Sequence, residues 1–386
     1  MANNSVEKII AQTFMDIANG LETGSFGRRP KMAVTALGSE HGEENVLKAA
    51  VMAANRGVDV TLIGTAEHEL ITTAKVADED EGHKKMEALL TSGEIDGVVT
   101  MHYPFPIGVS TVGRVVTPST GKEMFIATTT GTSSSDRIEG MIKNAIYGII
   151  TAKACGIANP TVGILNVDGA RQTETALKQL KDNGYDITFA TSGRADGGCV
   201  MRGNDLLTGS CDVMVTDPLT GNILIKTMSA FTSGGSYESV GYGYGPGIGE
   251  GYERLVLIVS RASGAPVIAN ALEFGSQLVK NNYRAIAAAE FAAANKAGLK
   301  DILESRKAAA NKTAAPKEQV VAPAKEVVTS AFAGIEIMDL EDAVQKLWSA
   351  GIYAESGMGC TGPVILVSEA NRSKAEAILK EGGWIG

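Results

Sequence analysis

Cysteine is scarce in this chain. Cys155, Cys199, Cys211 and Cys360 are the only four among 386 residues, and they stand far apart. That spacing builds no disulfide framework, and with neither a CxxC nor an HxxxH pair present no metal site is expected. Basic charge is also in deficit. The 44 acidic and 35 basic residues leave a net charge of −9 and a pI near 5.2, which argues against nucleic acid as a partner. No uninterrupted apolar run reaches membrane-spanning length, and the opening MANNSVEKII does not read as a signal peptide. The expectation is a cytoplasmic protein of a reducing compartment with no membrane contact. Phosphate-cradle fingerprints are missing as well: residues 232–251 hold eight glycines but neither GxGxxG nor GxxxxGK[ST]. Those glycines alternate strictly from Gly241 to Gly251, with Tyr237, Tyr242, Tyr244 and Tyr252 among or beside them. The stretch reads as a mobile lid or a partner-contact loop.

The chain does have length for two or three domains, and 44% of it is hydrophobic. Val6, Ile9, Ile10, Phe14, Ile17 and Leu21 recur at helical spacing. They predict an amphipathic helix over Ser5–Leu21, within residues 1–30, packed on the outside of the domain that follows or on a partner, the first being the preferred reading. Residues 31–37 form a first strand, GSEHG (38–42) a turn, the next segment to about Arg56 a helix, and 58–63 a second strand. A βαβ opening predicts an α/β fold, a mostly parallel sheet with helices on both faces. Ligands of such sheets bind at the carboxyl ends of strands, which puts Ser39, Glu40 and His41 at a candidate site. Further strands are expected at 97–100, 124–128, 161–167, 187–190, 212–216 and 255–259. The stretch after residue 100, with His102, Tyr103 and Arg114, reads as a Pro/Gly-rich loop.

Two places could hold an anion. TTTGTSSSDR (128–137) offers hydroxyls before a helix, though a capped, solvated loop accounts for it equally. SRASGAP (260–266) follows a strand and precedes a helix, and it brings Ser260, Ser263 and the cation of Arg261, which makes it the better candidate. Cys155, on an alanine-rich helix, and Cys199 and Cys211, with no neighbouring base, read as structural.

The division expected is an N-terminal helix (1–30), a core (31–310), a linker (311–326) and a C-terminal module (327–386). The linker, NKTAAPKEQVVAPAKE, has a reach of roughly 20–50 Å. It suits either a carrier arm swinging to the core or a module docked in one place. The module reads as a strand near 332–337, a helix N-capped by Asp339, a hairpin, a helix opened by Ser373 with Glu376 as a capping box, and an edge strand at Trp384 and Ile385. That βαββα(β) order suggests a small α+β, ferredoxin-like unit.

Its hairpin, ESGMGCTGPVILVS (355–368), holds the most informative residue. Cys360 is flanked by Gly357, Gly359, Thr361 and Gly362, with apolar β-formers at 352–354 and 364–367. Glycines let another molecule approach the sulfur, and bare N–H groups beside a thiol can hold an oxyanion or a thioester carbonyl. A structural cysteine normally sits inside the apolar run, not at a Gly/Thr/Pro tip. The pattern favours a reactive thiol.

GIANPTVGILNVDG (156–169) and DLLTGSCDVMVTDPLTGNILIKT (205–227) resemble the PlsX-like phosphate acyltransferase family, which interconverts acyl carriers and acyl phosphates. The resemblance covers residues 31–282. It implies an isocitrate-dehydrogenase-like fold and adds Asn222 and Lys226, from the "GN…K" helix, to Ser260, Arg261 and Ser263 as phosphate ligands. TALGSEHG replaces the family's acidic, double-glycine turn after the first strand. Core, linker and cysteine module together resemble the alpha subunits of component C of the glycine, sarcosine and betaine reductases, over essentially the whole chain. That resemblance implies an acetyl group taken from carboxymethylated selenoprotein A, held as a thioester on Cys360 and released by inorganic phosphate as acetyl phosphate. It also implies a component C beta subunit as partner and leaves room for a dimer of the core. No tightly bound cofactor is expected. Two alternatives stay open: a stand-alone phosphate acyltransferase acting on an acyl carrier, and a non-catalytic scaffold that positions the cysteine module.

Overall fold

Runs such as KMAVT (Lys31–Thr35) and GVVT (Gly97–Thr100) lack a polar face because both sides of their sheet are covered. The computed structural model describes residues 29–193, 197–313, 320–333, 335, 339–359 and 362–385, together with 10, 13–15, 17 and 18. It divides into two units, Met1–Leu303 and Glu304–Gly386.

In the first unit one mixed sheet runs in the order β3 (Thr72–Lys75), β2 (Asp59–Gly64), β1 (Lys31–Thr35), β4 (Gly97–Thr100), β12 (Val256–Ile258), β11 (Gly245–Ile248), β5 (Val109–Val116), β6 (Glu123–Thr132), β10 (Val213–Val215), β7 (Thr161–Leu165), β8 (Thr188–Phe189), with β9 (Val200–Met201) also on β7. Pairing is parallel except where β11 meets β12 and β5, and where β5 meets β6. Alternate residues feed two cores: Met32 and Val34 face one, Ala33 the other, and Phe125 and Ala127 oppose Met124 and Ile126. Its helices are α1 (Glu43–Asn55), α2 (Glu79–Ser92), α3 (Arg137–Ala154), α4 (Ala170–Asp182), α5 (Gly203–Thr208), α6 (Pro218–Ala230), α7 (Ala265–Lys280) and α8 (Tyr283–Lys296), and α9 (Leu299–Thr313) runs across the division between the units. The mostly parallel α/β class read from the sequence is the one found.

Three readings of this unit need correction. The alternating glycines form no lid. They enter β11, a buried strand at the centre of the sheet. Gly245 has φ +83°, and a Cβ there would overlap Val112 O, while one at Gly247 would overlap the Phe105 ring. Period-two glycine is here a strand whose one face is in contact with neighbouring groups. The supposed loop after residue 100 contains β5, the eight-residue partner of β11 and β6. In the N-terminal segment the described residues are helical, yet Ile10, Phe14, Met15 and Ile17 are exposed rather than packed on the core.

In the second unit β13 (Ser330–Ala333), β15 (Gly362–Val367) and β14 (Ala354–Gly359) form an antiparallel sheet in that order. α10 (Leu340–Ser349) and α11 (Arg372–Glu381) cover it, with Ala343, Leu347, Ala375 and Leu379 in the small core. Asp339 precedes α10 without a side-chain cap, and α11 begins one residue before Ser373, so the expected capping box is not made. Trp384 and Ile385 form no strand. Of the segment expected as linker, residues 311–313 continue α9, and Glu326 accepts hydrogen bonds from Ser368 and Asn371.

Candidate functional site

The turn after β1 and the turn after β12 are tied together. Glu40 N donates to Arg261 O at 2.9 Å, and His41 Nε2 lies 3.2 Å from Ala262 O. Asn45 of α1 bridges Ser263 O and Ala265 N at 3.0 and 2.9 Å. Beside this latch, at the carboxyl ends of β4 and β12, opens a cavity of about 350 Å³. Its walls include Glu40, His102, Thr130, Asn222, Lys226, Tyr244, Ser260 and Arg261. Four of the five residues expected to bind phosphate therefore line one cavity.

Asn222 and Lys226 are placed by α6. Asp217 caps that helix, accepting from Leu219 N and Thr220 N at 3.1 Å each, and Pro218 starts it. Gly221 lets the helix seat on β6, since a Cβ there would overlap Thr128 O. One turn apart, Asn222 and Lys226 share a face. Asn222 Nδ2 donates to Thr129 O at 3.1 Å. The Lys226 ammonium lies 5.8 Å from the centre of the Tyr244 ring, and no ion pair to Lys226 occurs among the described residues.

Arg261 is less available. Its guanidinium grips both oxygens of Glu79 at 3.0 and 2.9 Å and donates to Gly38 O at 2.9 Å. That contact holds the Glu79 carboxyl below the usual carboxylate range. Ser263 is wholly buried beneath the turn. Its hydroxyl donates to Glu238 Oε2 at 2.8 Å and accepts from Ser260 N at 3.0 Å. Glu238, 4% exposed, also accepts from the Tyr244 hydroxyl at 3.0 Å. Burial first, and then the Glu238 charge, pushes the Tyr244 phenol far up. Of the hydroxyl run, Thr128, Thr129 and Ser133 are buried and engaged internally, and Thr130 alone reaches the cavity wall. The sequence pattern does not single out His102 and Tyr244 as members of this site. Each sits in a segment that reads as a loop, and only the sheet order brings them beside α6.

In the second unit the β14–β15 ladder continues to the pair Gly359↔Gly362, closer to the thiol than the apolar flanks suggest. Cys360 and Thr361 themselves lie outside the described residues. Burial raises the other thiols: Cys155 and Cys211 to about 12 and Cys199 to about 11, where the Glu174 charge adds to the effect. Among the described residues no cluster of His, Cys, Asp and Glu could hold a metal, and no helix is long and apolar enough to cross a membrane.

The chain belongs to the fatty acid synthesis protein family, whose profile matches residues 30–366. The match runs beyond the 31–282 expected and into the second unit. At 60% identity over 384 residues, 99% of this chain and 100% of the relative, the chain is similar to glycine/sarcosine/betaine reductase complex component C subunit alpha of Peptoclostridium acidaminophilum. This bears out the full-length resemblance. The phosphate acyltransferase of Thermotoga neapolitana is 24% identical over 233 residues, 51% of this chain and 68% of that protein. A crystal structure of a branched-chain phosphotransacylase from Enterococcus faecalis V583 aligns with 64% of this chain and 98% of its own at 16% identity and a TM-score of 0.46.

Proposed function

We propose that this chain is the alpha subunit of component C of a glycine, sarcosine or betaine reductase complex and that it converts an acetyl thioester on Cys360 to acetyl phosphate. The observation that carries the reading is the cavity in which Asn222, Lys226 and Ser260 converge, with no carboxylate paired to Lys226 among the described residues. A thiolate is a good nucleophile, and its acyl thioester stays reactive. Hydrogen phosphate then attacks the thioester carbonyl, the C–O bond forms, and the C–S bond breaks to release acetyl phosphate and the thiol. Lys226 neutralises charge on phosphate, Asn222 and Ser260 orient it, and Arg261 at the rim adds positive field while remaining on Glu79. Ser263 shapes the turn from below. The small residues on either side of Cys360 give another molecule room to approach the thioester. The acetyl donor is a carboxymethylated selenoprotein, a beta subunit completes the component, and phosphate is a substrate rather than a cofactor.

Exchange of labelled phosphate into acetyl phosphate tests the scheme without either partner. Wild-type chain should catalyse it and Cys360→Ala should not. Exchange at an undiminished rate in Cys360→Ala would favour direct acyl transfer by the core and overturn the thioester role.

A further inference from the structure

A second cavity, of about 440 Å³, opens in the first unit where Val58 leads into the amino end of β2. The phosphate cavity lies at the carboxyl ends of β4 and β12, and the two share no described lining residue. The C-terminal ends of α1 and α7 bring Arg56, Ser276 and Lys280 to the second cavity, and Arg114, Tyr242 and Phe274 line it as well. Most of its polar groups are matched. Arg56 Nη1 donates to Glu273 Oε1 at 2.5 Å and to Asn270 Oδ1 at 3.0 Å. Arg114 donates to Glu123 Oε2 and Gln277 Oε1 at 3.1 Å each, with its guanidinium 4.3 Å from the Tyr242 ring. Gln277 and Asn281 donate to the last carbonyls of α3, Cys155 O and Ala154 O.

Ser276 and Lys280 differ. Ser276 is 2% exposed, and its hydroxyl makes no hydrogen bond among the described residues. A helical serine commonly bonds back to the carbonyl four residues earlier, and a buried hydroxyl left unpaired is costly. Lys280 stands one turn further along α7 on the same face, and no ion pair to it occurs among the described residues. Its charge is the surplus one, since Arg56 and Arg114 are paired with Glu273 and Glu123.

We infer that this cavity binds a small organic monocarboxylate. Lys280 neutralises the carboxylate, and the Ser276 hydroxyl donates to one of its oxygens, a charge-assisted hydrogen bond that gives the buried serine a partner. One surplus cation matches one negative charge, whereas a phosphate dianion would leave a charge unbalanced beside Glu273. The apolar part of the ligand rests on Val58, Tyr242 and Phe274. Apolar walls with a few placed polar groups are the usual make-up of a small-molecule site.

Benzoate is the probe, titrated into the full-length chain and followed by saturation-transfer NMR. Saturable binding at roughly millimolar concentration is expected. Lys280→Gln should weaken it about 10-fold or more. Ser276→Ala should weaken it severalfold without lowering the urea midpoint of the unliganded protein, because the hydroxyl it removes has no partner to lose. Lys226→Ala and excess inorganic phosphate should leave benzoate binding as it is. Benzoate that never saturates, or that binds Lys280→Gln as well as wild type, would overturn the inference. Displacement by phosphate or loss in Lys226→Ala would put benzoate in the phosphate cavity and overturn it too. So would a lower urea midpoint in Ser276→Ala, which would make the hydroxyl a structural group, or tighter binding of benzylamine than of benzoate, which would reverse the charge.

Discussion

Tyr244 donates its hydroxyl to Glu238 at 3.0 Å, so the ring facing Lys226 is held from beneath by a buried carboxylate. Tyr244→Phe keeps the ring and leaves Glu238 Oε1 without its donor. The expected result is a loss of stability of about 1–3 kcal/mol, read as a lower urea midpoint, together with a higher phosphate requirement as Lys226 loses a fixed neighbour. An unchanged midpoint would mean that water replaces the hydroxyl at no cost.

Lys226 and Arg261 differ in what they can offer an anion. Lys226→Ala should raise the phosphate concentration needed for half-maximal turnover by roughly 10–100-fold, the worth of one charge-assisted hydrogen bond, and leave thioester formation alone. Arg261→Ala should raise it less, because Glu79 and Gly38 already hold that guanidinium. The reverse order of effects would move the phosphate from α6 to the turn after β12.

Thiol reactivity should single out Cys360. With pKa values of about 12 at Cys155 and Cys211 and about 11 at Cys199, these three thiols stay almost wholly protonated at pH 8, and only the thiolate attacks an alkylating agent. Iodoacetamide at that pH should label the peptide holding Cys360 well before the others. Raising the pH toward 11 should bring in Cys199 first, limited by its burial. Labelling of Cys199 at pH 8 ahead of Cys360 would remove the basis for assigning the thioester.

Gly245→Ala should destabilise the first unit severely. Its φ of +83° and the overlap with Val112 O give a new methyl group no unstrained position, and the strand is central. A loss of about 3 kcal/mol or more is expected in urea unfolding. Wild-type stability would show that β11 can shift away from β5.

The same stretch marks where the sequence is readable and where it is not. Lys31–Thr35, Gly97–Thr100 and Val256–Ile258 announce themselves as apolar runs, because strands covered on both faces have no polar alternation to hide. β11 is disguised by composition. Its glycines suggest mobility, whereas their period of two records close neighbours on one face. β5 escapes notice because Gly113 and Arg114 break an apolar run, although Arg114 belongs there with its guanidinium 4.3 Å from the Tyr242 ring. At the site, the helix carrying Asn222 and Lys226 and the turn carrying Ser260 and Arg261 are each visible locally. That they face one cavity with His102 and Tyr244 follows from the order β4–β12–β11, which only tertiary pairing sets.

The central claim is an acetyl thioester on Cys360 that phosphate removes. Intact mass and peptide mapping after incubation with acetyl phosphate, followed by removal of small molecules, address it most directly. The account predicts one acetyl group on the peptide spanning Cys360, none in Cys360→Ala, and its return to acetyl phosphate when inorganic phosphate is added. An acetyl group carried equally by Cys360→Ala, or one on Cys360 that phosphate leaves in place, would contradict it.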